Sequence, residues 1–128
     1  MKPNKVVVRF KDGTIMKGNT SDFFPNKACF HLSYREGQIK EIDVEELKAV
    51  FFVKDFKGDK DHNKKYYDTV HGAGRKIEVD FSDGESIIGY VLGYSPDRQG
   101  FFITPADLIG NNVRIFVVKS ATKSIKFL

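Results

Sequence analysis

The chain has 128 residues, which is enough for one ordinary domain or two very small ones. Its 12 Phe and 5 Tyr, with frequent Val and Ile, favour β-strands over a helical bundle, and 41% hydrophobic with 30% charged residues excludes a disordered chain. The net charge is only +4, and no apolar run approaches the roughly 20 residues that a membrane-spanning helix needs.

The sequence contains an internal repeat. A shift of 71 positions aligns KVVVRFKDGTIMKG with KIEVDFSDGESIIG, and the shift grows to 75 towards the end of each copy. The identical pairs include Lys5/Lys76, Val8/Val79, Phe10/Phe81, Asp12/Asp83, Gly13/Gly84, Gly18/Gly89, Pro25/Pro96, Phe30/Phe101 and Lys48/Lys123. This self-similarity predicts one structural unit present twice, at 1–53 and 75–128, with 54–74 as a polar linker.

Each copy begins with a predicted β-hairpin. Apolar and polar residues alternate as in a strand with one buried face. The apolar positions are Val6, Val8 and Phe10 in the first copy and Ile77, Val79 and Phe81 in the second. An Asp-Gly pair then predicts a tight turn in both copies. Gly18 and Gly89 lie a few residues into the next strand, where glycine predicts a bulge or a sharp bend.

Three further strands are predicted in each copy. The third alternates at Phe30, Leu32 and Tyr34, the fourth is IKEIDV or VRIFVV, and a tight turn leads to a last strand, KAVFFV or KSIKFL. Five strands with a bent second strand are typical of small barrels. We therefore predict an all-β fold of two tandem five-stranded small β-barrels, related as a pseudo-twofold internal repeat. Because each copy is close to the size limit for folding alone, we expect the two to share an interface.

The hairpins and the glycine-bent strand resemble the small barrels of the Sm-like and Src-homology-3-like type. More closely, the stretches RFKDGTIMKGNTSDF, ELKAVFFVKDF, GYSPDRQGFFITPAD and SATKSIKFL resemble an uncharacterised bacterial family of tandem small β domains, a domain of unknown function. That resemblance implies a fold and a bacterial origin but no activity. The chain departs from the Sm family by lacking an Arg-Gly pair before the last strand, and Asp22 is a weak counterpart of that family's first-motif Asp.

The stretch GYSPDRQGFFI is also similar to part of the PilZ domain, which binds cyclic di-GMP. Ser95 and Gly100 are five residues apart where that family's pattern has three, and Arg75 stands alone where it has an arginine pair. These departures make cyclic-dinucleotide binding the third function considered.

Residues that could carry chemistry are few and scattered. His31 alternates with Phe30 and Leu32, so we expect it to point outward from its strand. Cys29 is the single cysteine, which excludes an internal disulfide and favours a cytoplasmic protein. We expect its thiol to pack at a loop-to-strand junction. We predict no enzyme activity and no catalytic, cofactor-binding or metal-ligating residues.

Both copies carry an aromatic residue, a proline turn and a cation in the same place. A proline followed by Asn or Asp predicts a type I turn, and a ring beside a cation suits an acidic peptide or stacked bases. The candidate partner-binding residues are Phe24, Pro25, Asn26 and Lys27 in the first copy, and Tyr94, Ser95, Pro96, Asp97 and Arg98 in the second. A plain turn is the alternative interpretation.

The charges are interleaved except in two segments. Residues 36–46 are rich in acids, and no acid follows Asp107. The basic residues beyond it are candidates for binding phosphate along a strand edge, with a merely solvated surface as the alternative; they are Arg114, Lys119, Lys123 and Lys126. Acidic and basic segments could also pair with each other.

The function predicted from these features is a non-enzymatic binding or regulatory module of a bacterial cytoplasmic protein, acting in protein–protein interaction or signalling. The first alternative is an Sm-like nucleic-acid-binding protein. No cofactor and no membrane partner is expected, and the oligomeric state is left open.

Overall fold

The computed structural model describes residues 3–54, 74–106 and 112–128, and these residues form ten β-strands and three single 3₁₀ turns. The strands are β1 Asn4–Phe10, β2 Ile15–Thr20, β3 Cys29–Tyr34, β4 Gln38–Asp43, β5 Leu47–Val53, β6 Arg75–Phe81, β7 Ser86–Val91, β8 Gly100–Pro105, β9 Asn112–Val118 and β10 Thr122–Phe127. The 3₁₀ turns are Arg35–Gly37, Val44–Glu46 and Lys119–Ala121. The all-β prediction is confirmed. Within the described ranges no helix is long and apolar enough to cross a membrane.

All ten strands belong to one antiparallel sheet, in the order β10-β6-β7-β8-β9-β5-β1-β2-β3-β4. Strands β1 to β5 are ordered β5-β1-β2-β3-β4, and β6 to β10 follow the corresponding order β10-β6-β7-β8-β9. The two halves meet where β5 pairs with β9, and Ala49 lies opposite Val117 there. We call this pairing the joint, and it provides the interface that the size of the two copies predicts.

The strand pairing corrects two details of the prediction. Neither half closes into a barrel through hydrogen bonding, because β4 and β10 are the two ends of one continuous sheet. A twofold axis between the halves would exchange β5 with its counterpart β10, and β9 with its counterpart β4. The pairing of β5 with β9 would then require an equivalent pairing of β10 with β4. The described strands lack that second pairing. The halves are therefore joined head to tail, and the predicted pseudo-twofold relation is wrong.

Strand β5 is buried along its whole length because it serves two cores. Val50 and Phe52 pack with the inward residues of β1, β3 and β4, a cluster we call the first core. Ala49, Phe51 and Val53 point the other way and pack with the inward residues of β6 and β8, the second core. Strand β9 is divided in the same manner, so the apolar content of both strands follows from burial on both faces.

The predicted special glycines are explained by close packing of backbones rather than by a bulge. A Cβ atom on Gly18 would lie 2.3 Å from the Ser33 carbonyl oxygen of β3, and one on Gly89 would lie 2.6 Å from the Thr104 oxygen of β8. The β1–β2 register continues through Gly18 without a shift. Only glycine lets the neighbouring strand approach this closely.

The predicted linker at 54–74 lies outside the described residues, apart from Lys54 and Gly74.

Candidate partner-binding groove

The two proline-containing segments both form the predicted β-turn. The Lys27 amide donates to the Phe24 carbonyl oxygen at 3.1 Å, and the Arg98 amide donates to the Ser95 carbonyl oxygen at 3.3 Å. These are the hydrogen bonds between the first and fourth residues that define such turns. We call them the first and second proline turns.

The aromatic residues beside the turns have different roles. Tyr94, a predicted partner-binding residue, packs edge-on against Phe101 with ring centroids 5.1 Å apart and against Phe127 at 5.7 Å. Its ring therefore anchors the second proline turn to the sheet. Phe24 is 45% exposed, and the Lys27 Nζ lies 4.9 Å from its ring centroid. The expected pairing of a ring and a cation is thus found at the first proline turn, whereas Tyr94 faces its own half.

Gln99 connects the two proline turns across the joint. Its Nε2 donates to the carbonyl oxygens of Pro25 at 2.9 Å and Lys27 at 2.6 Å. The backbone carbonyl oxygen of Gln99 accepts a hydrogen bond from the Lys119 backbone amide at 2.9 Å. The Lys119 Nζ in turn donates to the Pro96 carbonyl oxygen. One glutamine thereby fixes the predicted loops of the two copies side by side.

A groove of about 720 Å³ opens beside this connection. One wall comes from the start of the Val44–Glu46 turn and the other from the Lys119–Ala121 turn, because the β5–β9 pairing brings the start of β5 next to the end of β9. The lining residues are Ala28, Asp43, Val44, Glu45, Gln99, Val118, Lys119 and Ser120. The volume is within the range of ligand and peptide pockets.

The groove has a buried apolar floor and charged walls. Val44 and Val118 are each only 1% exposed. The side chains of Asp43 and Glu45 are exposed, and neither makes an ion pair within the described part of the chain. Lys119 stands on the opposite wall. The groove can therefore pair with a positive group through its carboxylates and cover an apolar side chain on its floor.

A second polar cluster holds the joint itself together. Lys48 on β5 is 4% exposed, and its Nζ contacts the Asp83 Oδ2 at 2.7 Å and the Glu85 carboxylate. The same ammonium lies 4.8 Å from the ring centroid of Phe81. Hydrogen bonding from Lys48 lowers the pKa of Asp83. Arg9 adds a 3.0 Å ion pair to Glu85. The cluster was not foreseen, because a lysine in a strand gives no sign of burial against another part of the chain.

The four candidate phosphate-binding residues do not form one cluster. Arg114 lies on β9, with its guanidinium carbon 4.4 Å from the ring centroids of both Phe52 and Phe102. Lys123 and Lys126 lie on β10, which is separated from β9 in the sheet by β6, β7 and β8. Lys126 is 3.4 Å from the Asp80 carboxylate. Unlike Lys126, Arg114 has no acidic partner among the described residues.

His31 points outward from β3, as predicted, but its carboxylate partners were not foreseen. Its Nδ1 lies 2.6 Å from Asp22 Oδ2, and its Nε2 lies 3.9 Å from Glu41. The hydrogen bond with Asp22 raises the pKa of His31. Desolvation, together with the Glu41 charge, raises the pKa of the nearby Cys29 thiol. In the described ranges no group of three or more His, Cys, Asp or Glu side chains is placed to hold a metal ion.

Comparison with known proteins gives a family but no characterised relative. No curated protein and no solved structure matches the chain. A family described only as a family of unknown function matches residues 2–128. Because that match covers nearly the whole sequence, the chain belongs to the family of unknown function DUF6982.

Proposed function

We propose that this chain is a non-enzymatic binding or regulatory module of the bacterial cytoplasm, and that it binds a protein partner in the groove between the two proline turns. The observation that carries the proposal is the bridge formed by Gln99. It brings two repeated, cation-bearing turns to the rim of one groove.

The chemistry of the groove indicates the kind of segment it would bind. Asp43 and Glu45 offer carboxylates without an ion-pair partner among the described residues, so a lysine or arginine of the partner can face them. Phe24, Lys27 and Arg98 are exposed at the flanking turns and can contact acidic or apolar residues at the edge of the interface. A short segment with both charges and one apolar anchor meets these requirements.

The state of the two most reactive side chains supports a binding role over catalysis. A cysteine acts as a nucleophile in its thiolate form, and the raised pKa of Cys29 disfavours that form. Among the described residues the His31 ring contacts only the carboxylates of Asp22 and Glu41, so no hydroxyl or thiol is placed for it to activate.

We also infer that the two halves are tandem small barrels of the Sm-like and Src-homology-3-like type, each an unclosed version of that fold. The support is the matching strand order in each half and the presence of one apolar core per half. In this interpretation the joint makes two small barrels into one unit with a shared binding groove.

The test begins with a random peptide-display library panned against the purified chain. A selected peptide is then titrated into isotope-labelled protein while backbone amide NMR signals are recorded. We expect the largest shifts at the groove walls and the proline turns. Shifts confined to other surfaces, or a library that yields no binder, would contradict the proposal. Lys5→Ala, at the start of β1 and outside the groove, is the control variant and should bind the peptide like the unchanged chain.

Nucleic-acid binding is the second candidate, favoured by the position of Arg114. Its guanidinium lies over two phenylalanine rings and has no acidic partner among the described residues, so its five N–H groups are available to a phosphate. Fluorescence anisotropy with short single-stranded RNA and DNA at two ionic strengths tests it. Binding that weakens steeply with salt and is lost in Arg114→Ala supports this candidate, whereas no binding at low salt removes it.

A further inference from the structure

The two ends of the sheet carry strand edges that no other described strand covers. Among the described residues, β4 pairs only with β3, and β10 pairs only with β6. An edge strand exposes a row of backbone N–H and C=O groups that can accept another strand. At the joint, the corresponding edges of the two halves do pair, because β5 pairs with β9. In the repeat, β5 corresponds to β10 and β9 corresponds to β4.

Part of the cluster that holds the joint is present a second time at these open ends, although Thr14 stands at the position of Glu85. Lys48 contacts Asp83 and Phe81 across the joint. The repeat places Lys123 at the position of Lys48, and Asp12 and Phe10 at those of Asp83 and Phe81. The turn geometry is also repeated, because Asp12 Oδ1 accepts from the Thr14 amide at 2.8 Å as Asp83 Oδ1 accepts from the Glu85 amide at 3.0 Å.

Within the described part of the chain, these counterparts do not form the contacts that Lys48, Asp83 and Phe81 make at the joint. Lys123 is exposed, and neither it nor Asp12 makes an ion pair in the described ranges. Lys123 lies at one end of the sheet, and Asp12 belongs to the half whose open edge is the other end. A single chain therefore cannot bring them together through the sheet, whereas a second copy can.

The two ends also have opposite charge. The segment around β4 is acidic, with Glu36, Glu41, Asp43, Glu45 and Glu46, and the only basic side chain on β4 is Lys40. The segment of β10 carries Lys123 and Lys126 and no acid. Opposite charges across an interface promote encounter and fix the orientation of the partners.

The register of the joint predicts which residues would meet. Applied to β10 and β4 of two copies, it places Phe127 opposite Ile39, and Ser124 opposite Ile42. Phe127 and Ile39 are 38% and 68% exposed in the single chain and would cover each other. Continued by one residue, the register places Lys123 opposite Asp43.

The new joint would be weaker than the internal one. Lys126 stands opposite Lys40 in this register, although Glu78 and Asp80 lie within 4 Å of Lys126 and offset part of the repulsion. Ser124 and Lys126 also replace the apolar Ala49 and Phe51 of β5. The contact should therefore be reversible and sensitive to salt.

We propose that this chain associates end to end with a second copy, with β10 of one molecule antiparallel to β4 of the next and Lys123 facing Asp43 and Asp12 across the contact. The proposal rests on the two open edges of the sheet and not on binding in the groove, although Asp43 belongs to both surfaces.

Sedimentation velocity over a range of protein concentrations, at low and at high ionic strength, tests the association. We expect the average mass to rise above the 14.6 kDa of one chain as concentration increases at low ionic strength, and to return to it at high ionic strength. A chain that stays at 14.6 kDa at every concentration at low ionic strength would overturn the proposal.

Charge variants identify the surfaces. Lys123→Glu and Asp43→Lys should each remain monomeric alone, and an equimolar mixture of the two should associate again, because each supplies the residue that the other lacks. Lys5→Glu, which changes an exposed lysine on β1 by the same charge, should associate like the unchanged chain. Association that persists in both single variants, or no recovery in the mixture, would place the contact elsewhere and contradict the proposal.

Discussion

Lys48 Nζ and Asp83 Oδ2 are 2.7 Å apart, although the two residues belong to different halves of the chain and Lys48 is almost fully buried. The contact stands beside the pairing of β5 with β9, where each strand contributes side chains to both cores. The ion pair and the shared strands together join the two halves into one continuous structure.

Removal of the Lys48 charge should therefore weaken the whole molecule. Lys48→Met keeps most of the side-chain volume but leaves Asp83 and Glu85 without their cation. We expect a loss of about 2 kcal/mol in the free energy of unfolding, since a hydrogen-bonded buried charge is removed while its partners retain some contact with water. Urea denaturation followed by circular dichroism measures it.

The matched control is Lys123→Met, at the same position of the other copy. Lys123 is exposed and makes no ion pair among the described residues, so at dilute concentration its replacement should change stability by no more than about 0.5 kcal/mol. Equal effects of the two substitutions would show that Lys48 gains nothing from its place at the joint.

Gly18 should not tolerate a side chain. A Cβ atom there would lie 2.3 Å from a backbone oxygen of β3, and backbone cannot move aside as a flexible side chain can. We expect Gly18→Ala to cost about 1–3 kcal/mol of stability, measured by thermal or urea denaturation. Lys5→Ala on the neighbouring strand should be close to neutral, and a neutral Gly18→Ala would contradict the described approach of β3 to β2.

Asp80 should make stability depend on acid pH. Hydrogen bonds from Ser86 and Ser124, with Lys126 nearby, lower the pKa of Asp80 from 3.8 to about 2. A carboxyl group whose pKa is lower in the folded state stabilises the protein above its unfolded pKa and loses that contribution as the pH falls through the folded value.

Asp80→Asn should accordingly lower the melting temperature at neutral pH, and the difference from the unchanged chain should shrink as the pH falls from 3.8 towards 2. Differential scanning calorimetry across this range measures it. Asp97→Asn, on the exposed second proline turn, should leave the melting temperature nearly unchanged throughout. A difference for Asp80→Asn that is constant with pH would argue against the lowered pKa.

The rim of the groove should affect binding without affecting folding. Arg98→Ala and Lys27→Ala each remove an exposed cation beside Gln99, and we expect each to weaken a peptide selected for the groove several-fold. Their unfolding midpoints should stay within experimental error of the unchanged chain. Isothermal titration calorimetry and urea denaturation give the two quantities, and an unfolded Arg98→Ala variant would assign that residue a structural role instead.

The sequence was sufficient to predict the strands because alternation of apolar and polar residues follows directly from burial of one sheet face. It also held a signal for the joint. The run KAVFFV of β5 lacks alternation, whereas its counterpart KSIKFL on β10 alternates polar and apolar residues from Ser124 to Phe127. Burial on both faces explains that difference, but the pattern cannot say which strand covers the extra face.

The candidate site was only half predictable. The proline turns could be found because Pro25 and Pro96 occupy equivalent positions and restrict the backbone locally. The walls of the groove could not, since Glu45 and Ser120 become neighbours only through the β5–β9 pairing. The same holds for Tyr94, whose ring packs inward on Phe127, a residue of the last strand.

The most direct test of the groove compares two adjacent glutamates in the same 3₁₀ turn. Glu45 lines the groove, whereas Glu46 is also exposed but is not among the lining residues. Isothermal titration calorimetry should measure the affinity of a peptide selected for the groove against Glu45→Lys and Glu46→Lys. If the groove is the binding site, Glu45→Lys should weaken binding about tenfold or more, and Glu46→Lys should leave it nearly unchanged. Equal affinities for the two variants would contradict the account.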